Sequence, residues 1–254
     1  MGLGRTLVFE SPYCGRVPSP GAGHRLFCLP FPGAGASAYL EWAQALPSSI
    51  ELCSIQLPGR EDRFPEDPIT SFPVLVEQIS SAVGEQLRGP YSLFGHSGGA
   101  LLAYEVARTL AARGRSEPAH LFVSGENAPA ARPPAVHAHR LPDAEFLSYV
   151  RARGGLDAEF LENEELVELV LPILRADFTW YETYRHERDA MLDCPITVYA
   201  SPADGLVDLD ALGRWRDHTT GPFEVHLVEG DHFFVWGARE QIIGHLVGAL
   251  KSGS

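Results

Sequence analysis

Lysine is nearly absent from this sequence: of its 20 basic residues only Lys251 is a lysine, and the others are arginines. The 33 acidic residues outnumber them and give a formal net charge of −13 at pH 7. Nucleic acids and anionic membranes attract proteins through a positive field. The charge balance therefore excludes broad binding to either of them, and a cationic contact with a partner has to come from arginine.

Cysteine is scarce as well. Cys14, Cys28, Cys53 and Cys194 form no CxxC pair, and Cys28 and Cys53 lie in apolar, strand-like runs. We therefore expect buried free thiols in a reducing compartment. Apolar runs of about 18 residues are missing, and the amino terminus lacks a charged region followed by a long apolar one. These absences favour a cytoplasmic protein without a membrane-spanning segment.

The length of 254 residues suits one large α/β domain, which we predict to span residues 1–254. A Gly-, Pro- and Ser-rich segment over 1–23 is expected to be irregular, and short apolar runs then alternate with helix-like segments. The predicted strands are Leu26–Pro30, Leu52–Leu57, Tyr91–Phe94, Ala119–Ser124, Ile196–Ala200 and Val225–Val228, and the predicted helices are Val74–Leu87, Ala100–Arg113, Leu209–His218 and Glu240–Leu250. This alternation favours a mostly parallel sheet with helices on both faces.

A stretch without a convincing strand, residues 127–190, interrupts this alternation. It contains two helix-like segments, Leu141–Arg153 and Glu164–Tyr184, the second with apolar residues along one side. The segment could simply extend the core. So long an excursion from the strand–helix alternation more often forms a cap over a site, and we predict a helical lid.

A serine in a tight turn is the strongest chemical signal. Ser97 is the middle residue of Gly95–Gly99, a G-x-S-x-G motif between an apolar strand and a good helix. This context is that of a nucleophile elbow, in which only small residues fit around the serine and the helix directs its amides toward the serine oxygen. A purely structural glycine turn is the alternative, and the flanking elements favour a nucleophile.

A serine hydroxyl needs a base, and in this type of fold the order along the chain is serine, acid, histidine. Of ten histidines, only His232 lies after the last predicted strand and before the final helix. We therefore predict His232 as the general base. His96, beside the nucleophile, is interpreted as a structural residue of the elbow.

The acid is expected in the loop after the preceding strand, because catalytic groups of open α/β sheets gather at the carboxyl ends of strands. Asp204 lies in that loop and is our prediction. Asp208 and Asp210 compete, although either suits the N-cap of the helix that follows. Asp231 is adjacent to His232 and cannot easily turn back onto that ring.

Two backbone N–H groups are expected to hold the carbonyl oxygen as it becomes negative. One should come from Gly98, the residue after the nucleophile, and the other from the loop Phe31–Ser37 after an early strand. Ala34 is the predicted donor there, with Gly33 as the alternative. These glycines could instead hold a phosphate, but no GK[ST] or GxGxxG pattern follows, so no cofactor and no metal are expected.

Several of these segments together resemble the standalone type II thioesterases that accompany polyketide synthases and nonribosomal peptide synthetases. That family is similar to the medium-chain fatty-acyl thioesterases. The resemblance covers about residues 25–246 and rests on five segments, of which Leu57–Glu61 and Leu171–Tyr184 are the most specific. The segments are Phe31–Ser37 (FPGAGAS), Leu57–Glu61 (LPGRE), Gly95–Gly99 (GHSGG), Leu171–Tyr184 (LPILRADFTWYETY) and Asp231–Phe234 (DHFF).

The resemblance implies an α/β-hydrolase fold with a helical lid between the sixth and seventh strands. It implies an enzyme that hydrolyses acyl groups from the phosphopantetheine arm of an acyl- or peptidyl-carrier protein and so removes stalled or aberrant units. By matching position, Ser97, Asp204 and His232 form the catalytic triad, and Ala34 and Gly98 supply the oxyanion donors.

This sequence departs from the family pattern at two positions. Gly98 replaces a common Met, which predicts a roomier pocket wall, and Asp231 replaces a common Gly. Carrier proteins of such systems are typically acidic too, so docking on a chain of charge −13 has to rely on local arginines or apolar contacts. Arg60 and Arg63 are the candidates, although Arg60 suits a structural ion pair equally well.

Three other functions fit parts of the pattern. A carboxylesterase or lipase would use the same acyl-enzyme mechanism on an oxygen ester. An acyltransferase or cyclase would pass the acyl group to a hydroxyl or amine, but a fused chain-releasing domain normally brings a carrier domain, and the leading 23 residues cannot hold one. A non-catalytic binding protein of the same fold would usually have lost part of the triad, which is complete here.

Overall fold

The computed structural model describes residues 6–156, 158–187 and 191–252. Their central element is an eight-stranded sheet with the order β1-β2-β4-β3-β5-β6-β7-β8. From β3 to β8 every pairing is parallel, as predicted, and only β1 and β2 run antiparallel to their neighbours. The strands are β1 (Val8–Ser11), β2 (Cys14–Val17), β3 (His24–Leu29), β4 (Ile50–Ile55), β5 (Tyr91–His96), β6 (His120–Ser124), β7 (Ile196–Ala200) and β8 (Phe223–Leu227).

The prediction that residues 1–23 are irregular was wrong for β1 and β2, which form a hairpin that continues the sheet. β2 pairs with β4, so its hydrogen bonds come from a strand more than thirty residues later. Gly15 allows the Phe9 ring to lie on the hairpin, since an added Cβ would be 2.8 Å from that ring. The high glycine and proline content predicted irregular structure, but pairing with β4 stabilises these two strands.

Helices cover both faces of the sheet, as predicted. Neighbouring residues of β5 point to opposite faces, so Leu93 joins the core on one side and Phe94 the core on the other. The helix predicted over Leu209–His218 has those bounds but is a 3₁₀ helix. It packs on the Leu93 side together with α2 (Phe72–Gln86) and α3 (Gly98–Ala112). The α helices outside the segment between β6 and β7 are α1 (Trp42–Ala45), α2 (Phe72–Gln86), α3 (Gly98–Ala112), α7 (Phe234–Gly237) and α8 (Arg239–Ser252).

The segment between β6 and β7 is helical throughout its regular structure in residues 127–156 and 158–187. It contains α4 (Asp143–Arg151), α5 (Ala158–Glu162) and α6 (Glu164–Thr183). A small core of its own contains Phe146 and Phe178, whose rings meet edge to face at 5.2 Å. We call the helices α4 to α6 and their connections the helical insertion. In the part of the chain that the structure describes, no helix combines the length and apolarity of a membrane span.

Candidate active site

Ser97 lies in a strained turn between β5 and α3. Its backbone has φ 51° and ψ −131°, a conformation that non-glycine residues rarely adopt outside functional sites. A Cβ at Gly95 would be 2.0 Å from the Gly99 carbonyl oxygen, and one at Gly99 would be 2.6 Å from the Leu29 carbonyl oxygen. The two glycines are therefore required by close backbone approach, which holds the serine at the carboxyl edge of the sheet.

The structure brings Ser97, His232 and Asp204 into one hydrogen-bonded chain. The distance from His232 Nε2 to Ser97 Oγ is 3.1 Å, and that from His232 Nδ1 to Asp204 Oδ2 is 2.8 Å. The Asp204 side chain is inaccessible to solvent, and its other oxygen accepts the Leu206 N–H at 2.9 Å. With a hydrogen on Nδ1, the imidazole presents Nε2 as an acceptor to the serine hydroxyl.

The loops that carry Asp204 and His232 are tied to each other. They follow the adjacent strands β7 and β8, and the Ser201 hydroxyl donates a hydrogen bond to the Gly230 carbonyl across them. Asn127, after β6, accepts the N–H of Asp208 at 3.0 Å and so holds the far side of the Asp204 loop. Parallel strand order therefore determines where the acid and the base meet.

The competing carboxylates form other hydrogen bonds. Asp208 is the N-cap of the 3₁₀ helix, because its Oδ1 accepts the N–H of Asp210 at 3.0 Å. Asp231 Oδ1 accepts the N–H of Phe233 at 2.9 Å, within its own loop. Asp204 is the carboxylate that bonds to His232.

His96 lies behind the site and is fully buried. Its Nδ1 is 3.0 Å from the Ser124 hydroxyl, and its ring centroid is 5.1 Å from that of His232. Burial lowers the pKa of His96 well below its ordinary value, so the ring remains neutral beside the base. This geometry agrees with a structural role in the elbow.

The two predicted oxyanion donors differ in their surroundings. Gly98 begins α3, where N–H groups have no partner within the helix. Ala34 instead donates its N–H to the Phe31 carbonyl at 2.9 Å, in a tight turn with Gly33 at φ 85°. Gly33, the alternative, donates its N–H to Asp177 Oδ2 at 2.7 Å. Sequence reasoning missed the role of Asp177, although the residue lies in Leu171–Tyr184, because no spacing pattern links it to a loop 144 residues away.

The expectation of a roomier wall at Gly98 was wrong. A Cβ there would lie 2.9 Å from Pro32 Cδ and 3.0 Å from both the Trp180 and Tyr181 rings. Aromatic side chains of α6 fill the space that a larger residue would occupy, so the absence of a side chain allows the helical insertion to pack directly against the turn.

A cavity of about 930 Å³ opens at Ser97 and His232. Its volume is at the upper end of small-molecule sites. Three aromatic rings in mutual contact line the cavity next to the histidine: Phe31, Phe233 and Trp236, with centroids 5.1–5.7 Å apart. The helical insertion contributes apolar and aromatic lining residues: Tyr149, Val150, Leu156, Phe160, Val170, Leu174, Phe178 and Tyr181.

Arg60 and Arg63, named above as candidates for docking a partner, both lie inside the protein and offer no exposed cation. They are only 5% and 8% exposed. Both outer nitrogens of Arg60 bond to the Asp177 carboxylate, at 2.5 and 2.9 Å. Arg63 pairs with Glu66 at 2.6 Å and donates to the Gln56 carbonyl at 3.1 Å. The alternative reading of Arg60 as an ion-pair residue is the one that the structure supports.

The four cysteines are all buried and free, as predicted. Within the described residues, no group of three or more metal-ligating side chains has a geometry that could hold a metal ion.

Comparison with known proteins gives consistent matches over most of the chain. The sequence model of the thioesterase domain family matches residues 24–250. Gramicidin S biosynthesis protein GrsT of Aneurinibacillus migulanus is 38% identical over 227 residues, which cover 89% of each chain. Thioesterase PikA5 of Streptomyces venezuelae is 39% identical over 219 residues, covering 86% of this chain and 78% of that protein.

Solved structures agree with these relatives. The type II thioesterase BorB from the borrelidin biosynthetic cluster superposes with a TM-score of 0.88 at 32% identity, covering 96% of this chain and 99% of the other. The RedJ thioesterase from the prodiginine pathway of Streptomyces coelicolor gives 0.85 at 37% identity, covering 91% and 92%. The predicted α/β-hydrolase fold is thereby confirmed.

Proposed function

The chain belongs to the thioesterase domain family, and we propose that it releases acyl groups from the phosphopantetheine arm of acyl- or peptidyl-carrier proteins. The relatives that match most of its length include a gramicidin S biosynthesis protein and a type II thioesterase of the borrelidin cluster. The observation that carries the proposal is the hydrogen-bonded chain Ser97–His232–Asp204 at the edge of a cavity of about 930 Å³. Its role would be editing, the removal of stalled or aberrant acyl units from polyketide and nonribosomal peptide assembly lines.

The proposed reaction is a two-step acyl transfer. His232 takes the proton of Ser97 as the serine oxygen attacks the thioester carbonyl, and then donates that proton to the departing phosphopantetheine thiol. A water molecule activated by the same histidine hydrolyses the acyl-enzyme. Asp204 keeps the hydrogen of His232 on Nδ1 and stabilises the imidazolium that forms during each step.

The developing oxyanion would be held by the N–H groups of Gly98 and Ala34. The Gly98 N–H lies at the positive end of α3. Ala34 already donates to the Phe31 carbonyl, so an oxyanion has to compete for its N–H. A full negative charge is a stronger acceptor than a neutral carbonyl, which favours a shared or redirected hydrogen bond in the transition state.

We also propose that residues 127–190 act as a lid within a single domain over 1–254. The apolar wall that the helical insertion contributes would contact the acyl chain, and exclusion of water there would strengthen the polar interactions around the serine. The proposal needs neither cofactor nor metal, and includes neither nucleic acid nor membrane among the partners. Four free thiols favour a cytoplasmic site of action.

The proposal is tested by loading acetyl, propionyl and longer acyl groups onto a phosphopantetheinylated carrier protein. Release is followed by intact-protein mass spectrometry, with the Ser97→Ala variant as control and a p-nitrophenyl ester assayed in parallel. We expect release from the carrier to exceed cleavage of the simple ester and to be lost in the variant. Cleavage of the simple ester without release of acyl groups from the carrier would indicate a carboxylesterase instead. Turnover by Ser97→Ala equal to that of the wild type would exclude the serine mechanism.

A further inference from the structure

The loop Gly33–Ser37, which we call the oxyanion loop, is held by polar side chains from other parts of the chain. Gln56 Oε1 accepts the N–H of Ala36 at 2.7 Å, and Glu61 Oε1 is 2.6 Å from the Ser37 hydroxyl. These contacts come from residues after β4. A further contact comes from the helical insertion and has no role in the acyl-transfer steps described above.

That contact is the carboxylate of Asp177, which is completely buried in α6. Its Oδ2 accepts the Gly33 N–H at 2.7 Å and Arg60 Nη1 at 2.5 Å. Its Oδ1 accepts Arg60 Nη2 and Trp180 Nε1, both at 2.9 Å. Four donors thus converge on one carboxylate, and one of them is the backbone of the oxyanion loop.

Arg60 holds the same loop from the other side of the ion pair. Besides its two bonds to Asp177, its Nη1 is 3.1 Å from the Ala34 carbonyl oxygen. Its own carbonyl accepts Gln56 Nε2 at 2.8 Å. Asp177 and Arg60 therefore bind the N–H of Gly33 and the C=O of Ala34, one on each side of the peptide whose N–H is the proposed second oxyanion donor.

The helix that carries Asp177 also packs against Gly98 and against Gly33, the residue before Ala34. Leu174 Cδ2 would be 2.8 Å from a Cβ at Gly33. The rings of Trp180 and Tyr181 would each be 3.0 Å from a Cβ at Gly98. A displacement of α6 would break these contacts together with the Gly33–Asp177 hydrogen bond. The helical insertion thus contacts the first donor position, Gly98, and the residue before the second, besides lining the cavity.

We propose that Asp177, paired with Arg60, is a positioning residue that sets the oxyanion loop for transition-state binding. This inference rests on the proposed function only in its serine acyl-transfer chemistry and not on the identity of the carrier. Oxyanion stabilisation depends on donors placed within a few tenths of an ångström, and misplacement by about 1 Å can cost about 100-fold in rate. Loss of the Asp177 charge therefore should lower kcat far more than it changes KM.

The first test is Asp177→Asn, which keeps the size of the side chain. In place of Oδ2 the amide nitrogen would face Gly33 and Arg60 Nη1, and in place of Oδ1 it would face Arg60 Nη2 and Trp180. Arg60 therefore loses one acceptor in either orientation, together with its charged partner. With a small acyl thioester as substrate we expect kcat to fall about 10- to 100-fold, with KM within about twofold. Affinity for a boronic acid that mimics the tetrahedral intermediate should fall in parallel with kcat. Unchanged kcat and inhibitor affinity would overturn the proposal.

Glu51→Gln is the matched control. Glu51 is likewise a buried carboxylate paired with arginines, Arg16 at 2.8 Å and Arg25 at 2.9 Å, but it lies toward the amino end of β4. Its loss should lower the melting temperature while leaving kcat and inhibitor affinity close to those of the wild type. An equal loss of kcat in both variants would mean that any weakened ion pair has this effect, and would contradict the specific role of Asp177.

A double variant, Arg60→Met with Asp177→Leu, separates positioning from stability. Replacing both members of a buried ion pair by apolar residues often preserves stability. We expect its melting temperature to return toward that of the wild type, while kcat and boronic acid affinity stay low because Gly33 still lacks its acceptor. Recovery of activity along with stability would show that Asp177 is merely structural. This variant also decides the question if Asp177→Asn fails to fold.

The same assays distinguish failure of this inference from failure of the proposed function. If Ser97→Ala hydrolyses the small thioester as fast as the wild type, the serine mechanism fails and the positioning role fails with it. If Ser97→Ala is inactive and Asp177→Asn retains the wild-type kcat, only the positioning role is wrong.

Discussion

Two regions of the molecule build the candidate site in different ways. Ser97, Asp204 and His232 follow β5, β7 and β8, so strand order places them, with short local hydrogen bonds completing the arrangement. The oxyanion loop also follows a strand, but its polar anchor Asp177 comes from the helical insertion. The sheet therefore positions the proposed proton-transfer chain, whereas the insertion contributes to the surroundings of the proposed oxyanion donors. Changes in the two regions should have separable kinetic consequences.

The largest effect is expected for Ser97→Ala on the sheet side. Loss of a serine nucleophile costs on the order of a 10⁶-fold reduction in kcat, or about 8 kcal/mol of transition-state stabilisation. Because only a hydroxyl is removed, the melting temperature should stay within a few degrees of the wild type. Single-turnover thioester hydrolysis and thermal denaturation measure the two quantities, and residual turnover within tenfold of the wild type would exclude Ser97 as the nucleophile.

Asp204→Asn should have the next largest effect. An amide at this position stabilises the wrong histidine tautomer, which costs about 10⁴-fold in kcat, or about 5.5 kcal/mol. Asp231→Asn is the control, since that carboxylate lies in the same loop as His232 but accepts the Phe233 N–H. We expect Asp231→Asn to change kcat by less than about threefold. Comparable losses in the two variants would contradict the assignment of Asp204 as the orienting acid.

The difference between the two regions also explains what could be predicted from the sequence. The elbow around Ser97 has a local signature, and the residues after β7 and β8 follow from strand order, so Asp204 and His232 could be named in advance. The bond from Gly33 to Asp177 spans 144 positions and joins a loop to a buried helix. No periodicity or spacing encodes such a contact.

The sequence was misleading at positions where tertiary contacts determine the local structure or the burial of a side chain. The hairpin of β1 and β2 lies in a glycine- and proline-rich segment and is stabilised by pairing with β4. Arg60 and Arg63 were named as docking candidates because an acidic chain needs arginines to bind an acidic partner, but carboxylates and carbonyl oxygens pair with both inside the protein. At Gly98 the sequence indicated free space, which the rings of α6 fill.

Phe146→Ala tests whether the helical insertion is stabilised separately from the sheet. Phe146 is fully buried in the small core of the helical insertion. Truncation of a buried phenylalanine costs about 3–5 kcal/mol, and here the cost should fall on the insertion, which has few buried partners. Hydrogen exchange should accelerate in α4 and α6 while β5 and β6 stay protected. Uniform acceleration across the sheet would mean that the insertion and the sheet unfold as one unit.

The smallest expected effect is a loss of stability in mild acid through His120, a buried histidine of the sheet. His120 lies at the start of β6, and its ring stacks on that of Phe122 with the centroids 4.1 Å apart. Its Nε2 is 2.8 Å from the Thr197 hydroxyl oxygen, and burial lowers the pKa of the imidazole to about 4. The unfolded chain, with a pKa near 6.5, therefore binds more protons between pH 6.5 and 4, so stability is complete above pH 6.5 and declines below it. This residue alone should remove about 1–2 kcal/mol between pH 7 and pH 5.

The His120→Gln variant tests this contribution, because glutamine keeps a polar group near Thr197 but does not titrate. Its fixed cost cancels when the free energy of unfolding, from urea denaturation, is compared between pH 7 and pH 5 within each protein. We expect the variant to lose about 1–2 kcal/mol less than the wild type over this interval. If both proteins lose the same amount, protonation of His120 does not weaken the sheet. A smaller loss in the variant would instead mean that mild acid weakens the sheet through a residue outside the helical insertion and the site.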